Sequence, residues 1–257
     1  MNSDYEKNGS KLLIEKLEQA EDKSLNLVII AGMRDIANLI ENNENLFTQK
    51  VKSLSVMGGV KNNEFDENGY LIPDEKAYNN AVDFEAAQFV YKKAQELNIP
   101  MRITDKKTAY SAPVPKEFYQ ELNETQNPIG KYLYGIQKTA LNGLWNTVKS
   151  GIIPVLTPEW FFKTFTSLDL ENENHTKIFE KAKNDTEPFE TIWNNVTKLN
   201  LYDPINLLAG ILPSENEFFN NTKVNKDENS TVEIVTVPNP NKVRALLSGL
   251  SKNALEK

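Results

Sequence analysis

Two short apolar runs, Leu54-Ser55-Val56-Met57-Gly58-Gly59-Val60 and Ile99-Pro100-Met101-Arg102-Ile103-Thr104, bracket the stretch YNNAVDFEAAQFVY at Tyr78–Tyr91. Each run reads as a strand, the first ending in glycines. Between them Phe84, Ala87, Val90, Tyr91 and Ala94 recur at the three-and-four spacing of one helix face. Strand, polar loop, buried helix and strand make a βαβ unit, which needs a parallel sheet with helices on its faces. Ligands of such open sheets sit at the carboxyl ends of the strands, so Gly58, Gly59, Asn79 and Asn80 are expected to gather there.

The flanking segments extend the pattern. Lys11–Ala20 places Leu12, Leu13, Ile14, Leu17 and Ala20 on one helical side, and Leu27–Ala31 is a continuous apolar run, as in a central strand covered on both faces. Met33–Ile40 reads as the returning helix. Lys61–Asp74, polar and aperiodic with Gly69 and Pro73, reads as a rim loop over the strand ends. Further on come helices at Lys116–Leu122, Ile129–Ser150 and Pro158–Phe165, a charged, asparagine-rich surface insertion at Glu171–Pro188, a helix at Ile205–Leu212, a β-rich stretch at Thr231–Val237 and a helix from about Asn241. The expected fold is a three-layer αβα protein with a mostly parallel open sheet, and the 257 residues read as a single domain.

Charge and cysteine content narrow the function. With 29 basic and 36 acidic residues the formal net charge is −7, and no basic cluster with interleaved aromatics stands out, so nucleic acid and anionic membrane are not expected partners. The chain has no cysteine, which excludes disulfides, thiolate metal sites and cysteine nucleophiles. No apolar run reaches the length of a membrane span, and the polar start MNSDYEKNGSKLL lacks the hydrophobic core of a signal peptide. A soluble cytoplasmic protein is the expectation. Export as an effector is compatible with such a leader, but no residue argues for it.

Several residues carry two readings. Asp83 is either an acid that touches ligand or the cap of the helix that follows. Asn79 and Asn80 are either turn residues or ligand-binding amides. Trp160, Phe161, Phe162 and Phe165 lie at helical spacing, which favours packing over a base-stacking wall. Asp203 before Pro204 has the form of a helix N-cap with proline at the first helical position. The lone histidine, His175, sits in the polar insertion and reads as solvated.

The runs LVIIAGMRDIANLI, LSVMGGV and YNNAVDFEAA, in this order, resemble the nucleoside hydrolases. The resemblance is closest to the divergent branch with the HopQ/XopQ-type effectors, which shares the MRD in Met33-Arg34-Asp35, the NN-x-x-D-x-E-A-A core, the segment Thr108–Pro113 and the segment Leu144–Phe165. It implies hydrolysis of the N-glycosidic bond of a ribosylated compound with the help of Ca2+. It places Met57 and Asn79 at ribose-pocket positions, Asn80 and Asp83 beside them, Asp203 at a calcium-ligand position, a backbone carbonyl near Ile30 or Ala31 at another, and Tyr202 where the hydrolases carry a histidine that assists the leaving base.

The match is partial. Ala77 stands where the hydrolases have a sugar-binding glutamate, and the acidic DTDxGxDD strand end is absent, so the first β-α units of the fold are expected to be missing. Calcium takes about six to eight oxygens, mostly from several carboxylates. Three possibilities follow: a hydrolase completed by an upstream segment or second polypeptide, a ribosyl-ligand-binding protein without catalysis, or a remnant with a fold and no ligand. An uncovered sheet edge also implies self-association or a partner that covers it.

Overall fold

The computed structural model describes residues 9–154, 156–184, 188–213, 216–224 and 231–256; the polar start and residues 185–187 of the expected insertion lie outside them. In chain order the elements are α1 (Gly9–Gln19), β1 (Leu25–Ile29), α2 (Arg34–Lys50), β2 (Val51–Met57), β3 (Val60–Phe65), β4 (Leu71–Pro73), α3 (Tyr78–Val82), α4 (Phe84–Glu96), β5 (Met101–Thr104) and α5 (Lys106–Ser111). There follow β6 (Val114–Pro115), α6 (Glu117–Glu124), α7 (Pro128–Ser150), α8 (Pro158–Phe165), α9 (Glu173–Lys183), α10 (Phe189–Asn194) and β7 (Lys198–Leu199). The chain ends with α11 (Tyr202–Ile211), β8 (Asn220–Lys223), β9 (Val232–Thr236) and α12 (Pro240–Leu255). The chain gathers into two compact units, Met1–Ala112 with Leu201–Pro240 and Pro113–Asn200 with Asn241–Lys257.

The first unit is the mostly parallel α/β part. Its sheet has the order β1-β2-β5-β9-β8, with β8 alone antiparallel to its neighbour. Because strand side chains alternate, the register sorts them into two faces. Leu54, Val56, Met101 and Ile103 enter the main core with Leu17 of α1, Phe47 of α2 and Val90 and Tyr91 of α4. Ser55 and Arg102, paired in register, face α11 instead: Ser55 Oγ donates to Asn206, and Arg102 Nη1 donates to the carbonyls of Ala209 and Leu212. Helices therefore cover both faces, giving the expected three layers.

Four local expectations are corrected. The apolar run at Leu27–Ala31 is not a central strand, because β1 lies at the sheet edge, pairing with β2 alone among the described strands. Its apolarity is explained by cover on both faces: Leu25 and Leu27 pack on the main core, while Val28 lies on the α11 side near Gly210. The rim loop at Lys61–Asp74 contains the hairpin β3–β4, turned by Asp66 Oδ1, which accepts from the amides of Asn68 and Tyr70. Gln95 of α4 pins it, donating to the Leu71 carbonyl and accepting from the Leu71 amide. The polar loop at Asn79 and Asn80 is helical, as α3. Asp203 is not an N-cap, because the Leu201 carbonyl accepts from the Ile205 amide at 3.2 Å and starts α11 with Tyr202.

The second unit is mainly helical. Trp145 of α7 meets Phe161 and Phe162 of α8 at ring-centroid distances of 5.1 and 5.5 Å, and Phe162 meets Phe179 of α9 at 5.0 Å. Phe161 and Phe162 are wholly buried, so these rings pack a core. Helix α9 occupies much of the expected insertion. His175 is half-buried on it, its Nδ1 accepting from the Asp169 amide at 3.0 Å. Among the described residues no helix is long and apolar enough to cross a membrane.

Candidate functional site

The carboxyl ends of β1, β2 and β5 are tied together by backbone and amide hydrogen bonds. The Gly58 amide donates to the Thr104 carbonyl at 3.0 Å, joining the end of β2 to that of β5. Asn79 Nδ2 donates to the Met57 carbonyl at 2.9 Å, and Asn80 Nδ2 donates to the carbonyls of Gly59 at 3.0 Å and Asp74 at 2.9 Å. The glycine turn and the two asparagines thus meet as expected. Asn80 is fully buried and Asn79 half-buried. Gly58 leaves no room for a side chain, since a Cβ there would lie 2.8 Å from Asn80 Oδ1 and 3.0 Å from the Tyr91 hydroxyl. Burial pushes the Tyr91 hydroxyl pKa up.

Asp83 sits between α3 and α4. Its side chain caps α4 by accepting from the Ala86 amide at 3.1 Å, so the cap reading describes its geometry. The same carboxylate accepts from Arg34 twice, from Nε at 2.6 Å and from Nη2 at 2.7 Å. The Arg34 guanidinium, followed by the Ala86 amide, holds the Asp83 pKa below the usual carboxylate value.

Helix α11 lies on β1, β2 and β5: Asn206 Nδ2 donates to the carbonyls of Ile29, the last residue of β1, and of Ser55 in β2, Gly210 lies against Ser55 and Val28, and the Ala209 and Leu212 carbonyls accept from Arg102 of β5. Its first turn, with Tyr202 and Asp203, meets Tyr110 on α5, the helix that follows β5, and so lies at the carboxyl-end side, the side of Ile30, Ala31 and Met57. Ile30 is 47% exposed there and Met57 nearly buried. The Tyr202 ring lies 5.4 Å from that of Tyr110 on α5, tilted by 52°. Lys106 Nζ lies 5.2 Å from the Tyr110 ring. Asp203 reaches solvent, but protein atoms that desolvate its carboxyl push its pKa up. Thr104 is fully buried, and its hydroxyl has no hydrogen-bond partner among the described residues.

These residues do not make a complete calcium site. Among the described residues no group of three or more histidine, cysteine, aspartate or glutamate side chains is placed to hold a metal ion. Asp203 and the carbonyls near Ile30 and Ala31 fall well short of about six to eight oxygens.

Arg34, Asn206, Thr104 and Tyr110 receive no role from sequence reasoning. A lone amide inside the apolar run Ile205–Leu212 is the one signal that could have found Asn206.

No family profile matches the chain, and no curated protein sequence does. Among solved structures it is similar to the type III effector XopQ, solved with adenosine diphosphate ribose, at 39% identity and a TM-score of 0.78 over 96% of this chain. The effector protein XOO4466 is similar at 38% identity and a TM-score of 0.77, again over 96% of this chain. The chain spans 65% of the length of both effector structures. A purine-preferring ribonucleoside hydrolase from Gardnerella vaginalis shares the fold at 13% identity and a TM-score of 0.56, over 97% of this chain and 68% of its own. The chain is an α/β protein with the nucleoside hydrolase-like fold, similar in sequence and structure to the effectors XopQ and XOO4466.

Proposed function

We propose that the chain binds a ribosylated nucleotide of the adenosine diphosphate ribose class at the carboxyl ends of β1, β2 and β5, and that it does not hydrolyse this ligand unaided. The observation that supports this reading is the meeting of the Met57–Gly59 turn, the Asn79–Asn80 amides and the first turn of α11 at one end of the sheet, in a chain 39% identical to an effector solved with that ligand. In this reading Met57 and Asn79 line the ribose, with Asn80 and Asp83 bracing them from behind. The carboxylate of Asp203 accepts from a ribose hydroxyl, and Tyr202 with Tyr110 offers an aromatic wall.

A second reading is calcium-dependent hydrolysis of an N-ribosidic bond, with the missing acids supplied by further polypeptide. It is favoured by the edge position of β1 among the described strands and by the carboxylate of Asp203 in the first turn of α11.

Titration calorimetry with adenosine diphosphate ribose, followed by chromatography of the recovered ligand, tests both readings. Saturable binding of about one ligand per chain with the ligand recovered intact supports the first. Calcium-dependent release of adenine, the product of cleaving the N-ribosidic bond of this ligand, supports the second, and the absence of both refutes the proposal.

A further inference from the structure

Helix α3 is a small hub. Its Asn79 and Asn80 hold the Met57, Gly59 and Asp74 carbonyls, and its last residue, Val82, packs against Gly32 in the loop after β1, where an added Cβ would lie 2.9 Å from Val82 Cγ1. Directly after each of these two segments comes one member of the Arg34–Asp83 pair: Arg34 opens α2, and Asp83 joins α3 to α4. The guanidinium is bound by both carboxylate oxygens, one of which also takes the Ala86 amide.

The pair lies where ion pairs contribute little to global stability, the Arg34 side chain being 55% exposed. What a bidentate pair does supply at such a place is a fixed orientation. It joins the loop that carries Ile30 and Ala31 to the helix that grips the end of β2. Ile30, Tyr78 and Val82, all exposed apolar side chains, flank this junction, so side-chain packing alone anchors it poorly.

We infer that Arg34 and Asp83 are positioning residues, a latch that sets the loop after β1 against α3 and thereby the geometry of the strand-end site. The effect on ligand rests on the binding function proposed above; the effect on the two segments does not. The test is a cycle of Arg34→Met, Asp83→Asn and the double variant, in which asparagine preserves the helix cap and methionine the apolar stem. Amide hydrogen exchange is expected to rise about tenfold in both residues 30–34 and 78–82 whichever partner is replaced, with melting temperature nearly unchanged. Affinity for adenosine diphosphate ribose is expected to fall about tenfold in each single variant and no further in the double. Exchange that is unaltered, or faster only in the substituted element, overturns the latch. If the unaltered protein binds no adenosine diphosphate ribose, the proposed function fails, and exchange alone still decides the latch.

Discussion

Asn206 is the residue whose replacement distinguishes this architecture most sharply from an apolar helix resting on a sheet. It is fully buried, its Nδ2 donates to the carbonyls of Ile29 at 3.3 Å and Ser55 at 3.2 Å, and its Oδ1 accepts from Ser55 Oγ at 2.9 Å. Replacement by alanine removes all three bonds. At about 1 kcal/mol net for each, the loss is about 3 kcal/mol, or a fall of roughly 6–12 °C in melting temperature. Ser55 keeps a partner in the Asn206 carbonyl, which limits the loss. Aspartate is almost the same size, yet it turns an oxygen towards two carbonyl oxygens. At neutral pH Asn206→Asp is therefore expected to be less stable than Asn206→Ala despite the better fit. Its folded-state pKa is raised, so the penalty is present above that pKa and is relieved as pH falls through it towards the unfolded value near 3.9. Urea unfolding at pH 7 and pH 5 measures both effects. An aspartate variant at least as stable as the alanine one at pH 7 would refute the assigned hydrogen-bond directions.

Other consequences follow from single contacts. Gly210→Ala sets a Cβ 2.6 Å from Ser55 Cβ, so α11 must shift, and a loss of about 1–3 kcal/mol is expected in thermal melts. Asp203, whose pKa is raised by desolvation, destabilises the fold while ionised; Asp203→Asn is expected to raise the melting temperature slightly at pH 7, with the gain vanishing below the unfolded pKa of about 3.9, and to weaken ligand binding. Asp83 works in the opposite direction, its folded pKa being lowered by Arg34. Its contribution is complete above about pH 4 and disappears as pH falls through the lower folded value, so Asp83→Asn is expected to flatten the acid end of a stability profile.

The helices and parallel strands were legible because each repeats a local pattern: α8 begins and ends at Pro158 and Phe165, as its aromatic spacing predicts. What the sequence misjudged depends on distant partners. β1 has the apolarity of a central strand because helices cover both its faces, yet one of its hydrogen-bonding edges is unpaired among the described strands. The β3–β4 hairpin is invisible to periodicity because Gln95, 24 positions from Leu71, completes it. At the site, the cap chemistry of Asp83 is local and readable, whereas its pairing with Arg34 spans 49 positions and leaves no spacing signal. Asn206 hides for the same reason, since its partners lie 151 and 177 positions away. Asp203 looks like a cap because Pro204 follows it, but the Leu201 carbonyl starts the helix earlier.

The most direct measurement is calorimetric titration of the chain with adenosine diphosphate ribose, beside Tyr202→Ala and Asp203→Ala. Saturable binding of about one ligand per chain is expected, weakened at least tenfold by either substitution, with the ligand recovered intact. Binding that is absent, or that ignores both substitutions, would contradict a ribosyl site at the carboxyl ends of these strands.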